Sequence, residues 1–222
     1  MTARERVDTV LSGGTVRPHA SLVWSASPGH QSDIVTCELR EIAHARSTHP
    51  DQLLLVEIYN PYGRAIRSGC DINAVLEESP SKGDAVLAQH VAEAEEDIRE
   101  ALANGADGIF YRLDGAYAGA CTPMQYGGHF LELDRALLDG VPAGSVRLLH
   151  IMGETEIFLD FVADLPAEFV NWDQAHQTVS LATARALCKG KLALDHVDAD
   201  LFFARSYDEI ARLNKRAQKI TH

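Results

Sequence analysis

One stretch decides the fold: Arg147-Leu148-Leu149-His150-Ile151-Met152-Gly153-Glu154. Its first half is apolar and predicts a β-strand, and two polar residues, His150 and Glu154, stand where that strand should end. Two later stretches repeat this arrangement, Phe169–Asp173 and Leu192–Asp198, and both end on carboxylates. Segments of helical pattern separate the three stretches. Such alternation predicts βαβ units and a parallel sheet, in which ligands bind at the carboxyl ends of the strands.

The N-terminal half of the chain contains three more strand candidates. The run Leu53–Tyr59 is the most apolar in the chain, as expected of a strand buried on both faces of a parallel sheet. Gly108–Asp114 and Ser21–Trp24 are the other two. Apolar residues from Ser32 to Arg46 recur with a period near 3.6 instead, which predicts a helix. The sequence thus predicts an α/β fold with about six parallel strands in one domain, residues 1–222.

Composition excludes several classes of function. The 222 residues are 46% hydrophobic and carry a formal net charge of −12, so the chain can build a sizeable core but lacks the basic surface that nucleic acid requires. No apolar run is long enough to span a membrane, so we expect no membrane partner and a cytoplasmic location. The four cysteines are scattered, which predicts reduced buried thiols and neither a disulfide framework nor a zinc knuckle.

The later strand ends supply the candidate catalytic residues. His150 could serve as a general base, as a metal ligand or merely as a buried core histidine. Glu154 could orient His150 or act as an acid, or it could only complement the dipole of a helix start. Asp173 and the cluster Asp195-His196-Val197-Asp198 end two neighbouring strands, where paired carboxylates would push each other's pKa values apart. Their alternative role is helix capping.

The earlier strands supply candidate substrate-binding residues. Glu57 lies within an apolar run, so it must be neutral, paired or directed into a polar mouth. Tyr59, Tyr111 and Arg112 are candidates for the lining of the same mouth, and strand alternation allows only one of Tyr111 and Arg112 to face inward. A weaker hypothesis is a metal site, and its ligands would be His150, Cys121 and His129.

The order of these strand ends resembles that of the uroporphyrinogen decarboxylase superfamily. The resemblance covers roughly residues 50–215 moderately well and the first 50 residues poorly. It rests on an ordered set rather than on any single motif: Arg4–Val7, Gly105–Ile109, Leu148–Glu154, Asn171–Asp173, Leu192–Asp198 and Tyr207–Ile210. It implies a (β/α)8 barrel. Members include the porphyrin-pathway decarboxylase and zinc methyltransferases that move methyl groups between corrinoid proteins and thiols.

The chain departs from this family at both known catalytic sites. The decarboxylase has an arginine-rich segment after its first strand, but here Ser25–His30 contains no arginine. The zinc methyltransferases hold their metal with a His-x-Cys pair on the fifth strand, but Met152 stands where that cysteine would be. Because a thioether is a poor zinc ligand, the resemblance predicts no confident cofactor and makes zinc unlikely.

We therefore expect a TIM-barrel-like α/β domain, shortened and incomplete, that acts as an enzyme on a small or medium organic molecule. The resemblance implies methyl or one-carbon transfer, or decarboxylation as a carboxy-lyase, with His150, Asp173, Glu57 and Glu154 as acid/base groups. The alternative is a non-catalytic descendant that binds a corrinoid, a tetrapyrrole or a partner protein such as a corrinoid protein. Six strands would leave a barrel open, which predicts a homodimer or higher oligomer.

Overall fold

The computed structural model describes residues 2–11, 21–25, 34–153, 156–172, 183, 186–188, 192–193, 195–198 and 201–206. Within these ranges the chain forms nine strands: β1 (Ser21–Ser25), β2 (Ile34–Cys37), β3 (Leu53–Tyr59), β4 (Gly108–Leu113), β5 (Val146–Ile151), β6 (Phe169–Trp172), β7 (Leu192–Ala193), β8 (Asp195–Asp198) and β9 (Leu201–Ser206). The helices of the same ranges are α1 (Ala3–Leu11), α2 (Ile42–Thr48), α3 (Pro61–Arg67), α4 (Ile72–Glu78), α5 (Pro80–Ala103), α6 (Pro123–His129), α7 (Leu131–Asp139) and α8 (Leu159–Val162).

The strands form one sheet in the order β7-β6-β5-β4-β3-β2-β1-β9-β8. Neighbours from β1 to β7 run parallel, whereas β9 is antiparallel to both β1 and β8. The two ends of this order, β7 and β8, are separated in the chain by the single residue Leu194. Because consecutive Cα atoms are about 3.8 Å apart, the sheet has to curl until its ends meet. The fold is a shortened (β/α) barrel in which an antiparallel pair replaces the last βα unit.

The structure confirms the six predicted parallel strands and adds a seventh, β2. The predicted helix from Ser32 to Arg46 is wrong in its first half, because Ile34–Cys37 is a strand. Helical structure begins with a 3-10 turn at Leu39–Glu41 and continues as α2 from Ile42. All four residues of β2 are buried, so its apolar side chains do not alternate with polar ones. The apolar residues of β2 and α2 together happen to recur about every 3.6 residues, which predicted one helix. The predicted strand Leu192–Asp198 is likewise two strands, β7 and β8.

Strand side chains alternate between two apolar layers. Those facing outward pack beneath the helices, and examples are Val56, Ile58, Leu149 and Trp172. Those facing inward fill the lower part of the barrel, and examples are Leu53, Leu55, Phe110, Leu148 and Phe169. Both sets are almost fully buried, which explains why Leu53–Tyr59 is a continuous apolar run rather than an alternating one.

Charged residues at the starts of the strands hold the barrel together at the end opposite to the candidate site. The Arg147 guanidinium lies 2.5 Å from the Glu168 carboxylate, and that of Arg46 lies 2.7 Å from Asp107, whose carboxylate also accepts from the backbone amide of Leu54. The Arg147–Glu168 pair ties β5 to β6, the bond from Leu54 to Asp107 ties β3 to β4, and Arg46 adds α2 to the second of these links. Within the part of the chain that the structure describes, no helix has the length and apolarity that a membrane span requires.

Candidate active site

One row of the sheet brings three candidate side chains and an asparagine together at the carboxyl end of the barrel. Tyr59 of β3 is paired in register with Arg112 of β4, Arg112 with His150 of β5, and His150 with Asn171 of β6. Glu57 lies two residues before Tyr59 on the same face of β3. Residues in register on adjacent strands point to the same side of a sheet, so all five side chains share the barrel interior.

His150 is oriented by Asn171. Its Nδ1 lies 2.6 Å from Oδ1 of Asn171, and both residues are buried. Because an amide oxygen only accepts hydrogen bonds, Nδ1 carries a proton, and the lone pair of a neutral imidazole is then on Nε2. The ring of Phe110 packs 5.3 Å from the imidazole, between ring centroids, and gives it an apolar wall. This arrangement suits a general base, or a general acid when the ring is protonated.

Arg112 places a guanidinium inside the barrel. Its Nη1 lies 3.3 Å from Oε2 of Glu57, its Nη2 lies 3.4 Å from Sδ of Met152, and its Cζ lies 5.2 Å from the ring centroid of Tyr59. Its Nε is buried and has no hydrogen-bond partner among the described residues. A buried donor without a partner is costly, so this nitrogen is suited to a ligand that supplies an acceptor.

Thr36 of β2 offers a second such group. Its neighbours Val35 and Cys37 pack outward beneath the helices, so strand alternation turns Thr36 into the barrel. The residue is 9% exposed, and its Oγ1 is buried without a partner among the residues that the structure describes. Together with Arg112, it gives the barrel interior two unused hydrogen-bonding groups.

Tyr111, in contrast, is turned away from the barrel interior. Its hydroxyl donates to Oδ1 of Asp134 at 2.7 Å, and the hydroxyl of Tyr126 donates to Oδ2 at the same distance. Burial raises the pKa of Asp134 to about 7, although these hydrogen bonds and one from Asn60 oppose the rise. Of the candidate pair Tyr111 and Arg112, it is therefore Arg112 that faces inward, and the placement of Tyr111 in the mouth is corrected.

The loop that follows β4 is fixed over the end of β5. Tyr117 forms a β-bridge with Ile157, and the ring of Tyr117 covers Gly153, where a Cβ atom would lie 2.5 Å from its Cγ. Gly153 also has a φ of +133°, which other residues rarely adopt. Between this loop and the helices α3 and α4 lies an open cleft of about 470 Å³, and its walls include Tyr62, Asn73, Asp114 and Tyr117.

The remaining candidates are not brought into this row. Glu154 and Asp173 lie outside the described residues. Three others, Asp195, His196 and Asp198, lie within β8 and pair with β9, so they do not follow the end of a parallel strand as the sequence suggested. The structure adds four residues that sequence reasoning missed: Thr36, Arg67, Tyr117 and Asn171. Of these, Asn171 had a detectable signal, because it is a polar residue within a predicted strand.

The candidate ligands that the structure describes do not fit a zinc ion. Cys121 is packed in the outer core, where its thiol donates to the carbonyl of Gly115 at 2.9 Å and burial raises its pKa to about 11. His129 is exposed on α6. The sulfur of Met152 faces the Arg112 guanidinium, which would repel a cation. Among the described residues no three His, Cys, Asp or Glu side chains could hold a metal together.

Comparisons with known proteins find similarity in structure but not in sequence. No family model and no curated protein sequence matches the chain. A methyltransferase from Methanosarcina mazei superposes with a TM-score of 0.60 at 14% identity, over 83% of this chain and 64% of that protein. A candidate deoxyribose-phosphate aldolase from Coccidioides immitis matches with a TM-score of 0.42 at 10% identity, over 84% of this chain and 79% of that protein. The chain thus spans less than two thirds of the methyltransferase's length, and the similarity establishes a TIM-barrel-like fold.

Proposed function

We propose that the chain is an enzyme of the uroporphyrinogen decarboxylase-like barrel group that acts on a small carboxylate-bearing molecule in the barrel mouth. The observation that carries this proposal is the row Tyr59, Arg112, His150 and Asn171, because it sets an anion-binding cation beside an oriented proton carrier. TIM-barrel enzymes place their chemistry at this end of the strands.

In this proposal Arg112 binds the carboxylate of the substrate. A guanidinium binds a carboxylate through two parallel hydrogen bonds, and Arg112 has its Nε available beside an Nη. Glu57 balances the charge of Arg112 at 3.3 Å, which is long for an ion pair of this kind and leaves the guanidinium able to take a second carboxylate. The hydroxyl of Thr36 is a further donor in the same interior.

Decarboxylation is the reaction that this geometry favours. The bond between the substrate's carboxyl carbon and its neighbouring carbon breaks, CO₂ leaves, and the electron pair stays on the neighbouring carbon. Protonated His150 then supplies a proton to that carbon and regains one from solvent, so that atoms and charge balance. The hydrogen bond to Asn171 keeps the ring in place during this transfer, because it holds Nδ1.

Methyl or other one-carbon transfer is the second candidate, and the structural similarity to a methanogen methyltransferase favours it. In that reaction His150 would remove the proton of a thiol, hydroxyl or amine acceptor, and a corrinoid protein would be the partner. No step runs through zinc, because the residues at Met152 and Arg112 do not suit a metal.

The test is to incubate the protein with a pool of small organic acids and to follow CO₂ release and mass loss. A parallel reaction contains methylcobalamin and a thiol and is followed by absorbance. We expect CO₂ release that is lost in His150→Gln and Arg112→Gln but kept in Arg99→Gln, a change on an exposed face of α5. Demethylation of methylcobalamin would favour the second candidate. Carboxylate binding without turnover would favour the non-catalytic alternative.

The proposal includes a cellular setting. We place the enzyme in the cytoplasm, as a homo-oligomer that binds neither nucleic acid nor membranes. The net charge of −12 supports the exclusion of nucleic acid, because it disfavours binding to polyanions. The oligomer was expected from a barrel of six strands. The nine described strands leave no open side, because β7 and β8, the two ends of the strand order, lie next to each other, so the homo-oligomer stays a proposal from the sequence alone.

A further inference from the structure

The ring of Tyr59 is in contact with two arginine side chains. The Cζ atom of Arg67 lies 4.0 Å from the ring centroid, and that of Arg112 lies 5.2 Å from it. Arg112 reaches the ring from inside the barrel, whereas Arg67 is exposed at the end of α3, which begins directly after the strand that carries Tyr59. In a chain with a net charge of −12, this pair forms a local concentration of positive charge.

The two guanidiniums are unequally neutralised. Glu57 pairs with Arg112, but Arg67 has no hydrogen bond or ion pair with any residue that the structure describes. The carboxyl of Asp114, whose pKa is raised by burial, acts on both arginines through space without a direct contact. The stacking over Tyr59 fixes the position of Arg67 but does not cancel its charge. Because two like charges close to one ring repel each other, an anion bound between or beside them is stabilised by both.

The two arginines also differ in depth. The Arg112 side chain is 23% exposed and lies in the barrel, where its Nε and the Thr36 hydroxyl lack partners among the described residues. Arg67 is at the rim, in contact with solvent. A ligand with a single anionic group would be satisfied by Arg112 alone and would leave Arg67 unused.

We propose that the substrate of this site carries two anionic groups, one bound by Arg112 inside the barrel and the other by Arg67 at the rim, with Tyr59 between them. This names the substrate class of the proposed enzyme and rests on that proposed function. The inner group is the carboxylate that reacts beside His150. The outer group, a second carboxylate or a phosphoryl group, holds the molecule in place and sets its length.

Calorimetric titration at constant ionic strength tests this, with acetate, the dicarboxylates from malonate to adipate, and phosphonoacetate and phosphonopropionate as probes. We expect one diacid or phosphono acid of preferred length to bind the wild-type protein about tenfold more tightly than acetate. Arg67→Gln should remove that tenfold advantage and leave acetate binding unchanged. Arg99→Gln is the matched control, since it removes an exposed arginine that pairs with Glu96 on its own helix, and it should change nothing. Preference for the phosphono series would identify the outer group as phosphoryl.

Two results separate this inference from the function on which it rests. If Arg67→Gln weakens acetate and the diacid equally, or weakens neither, the second anion site is wrong, while loss of acetate binding in Arg112→Gln still supports the proposed function. If the wild-type protein binds none of the probes at tens of millimolar, or if Arg112→Gln binds them unchanged, the proposed function fails and the inference fails with it.

Discussion

The imidazole of His150 donates its Nδ1 proton to the amide oxygen of Asn171 across 2.6 Å, between adjacent strands of a parallel sheet. The partner is an amide, which orients the ring without adding a negative charge. A carboxylate at position 171 would instead stabilise the imidazolium form.

Asn171→Ala removes the acceptor and leaves a buried N–H without this partner. We expect the free energy of unfolding to fall by about 1–3 kcal/mol. We also expect turnover to fall by more than the loss of folded protein accounts for, because the imidazole is no longer held in place. Asn171→Asp retains an acceptor and should restore most of the stability. Urea denaturation measures both, and Asn104→Ala, at the exposed end of α5, is the control. Unchanged stability in Asn171→Ala would contradict the hydrogen bond.

The pair of Glu57 and Arg112 should be coupled. Their side chains are 22% and 23% exposed, and their charged atoms lie 3.3 Å apart. A double-mutant cycle with Glu57→Gln and Arg112→Gln should give a coupling energy of about 1 kcal/mol, measured by urea denaturation at neutral pH. The coupling should shrink when an anionic ligand is added, because the ligand competes with Glu57 for the guanidinium. Strict additivity would mean that the two residues do not interact.

The buried carboxyl of Asp134 should make stability depend on pH. Burial raises its pKa in the folded state from 3.8 to about 7, so between these values the folded protein keeps a proton that the unfolded chain releases. Stability from this group is therefore greatest at low pH and declines as pH rises toward 7. Between pH 5 and 8 the wild-type protein should lose up to about 3 kcal/mol more than Asp134→Asn. If the two proteins lost the same free energy of unfolding between pH 5 and 8, the pKa of Asp134 would lie outside that range.

Gly153→Ala should destabilise the loop over the end of β5. The new methyl group would collide with the ring of Tyr117, and the φ of +133° disfavours any residue with a side chain. We expect a loss of about 2 kcal/mol in thermal unfolding. Gly128→Ala on α6 is the matched control, since nothing lies within 4 Å of its added atom. That variant should be neutral or slightly stabilised, because alanine favours the helix.

Metal analysis of protein purified without a chelator should find far less than one zinc per chain. The physical reason is the guanidinium of Arg112 beside Met152, together with the burial of Cys121 in the outer core. Met152→Cys should gain little affinity for zinc while Arg112 is present. Near-stoichiometric zinc in the wild-type protein would contradict this and would indicate ligands outside the described residues.

The sequence predicted the parallel strands well because most are apolar runs bounded by turn residues. It failed at β2, where a fully buried strand next to a short helix imitates one longer helix. The site was predictable only as a set of strand ends. Which of Tyr111 and Arg112 faces inward depends on the register of neighbouring strands, and the role of Arg67 depends on how α3 returns toward Tyr59. Neither relation is local in sequence.

The pairing of Val23 in β1 with Phe203 in β9 has a consequence for how the protein forms. Most of the chain separates these two strands, so folding has to close a very long loop before they can pair. Pairing between residues so far apart in sequence slows folding. During synthesis β1 emerges early and has to wait for β9, while β3 to β6 can already associate. Until then the free edge of β1 is open to other chains, and we expect newly made protein to be most prone to aggregation in that interval.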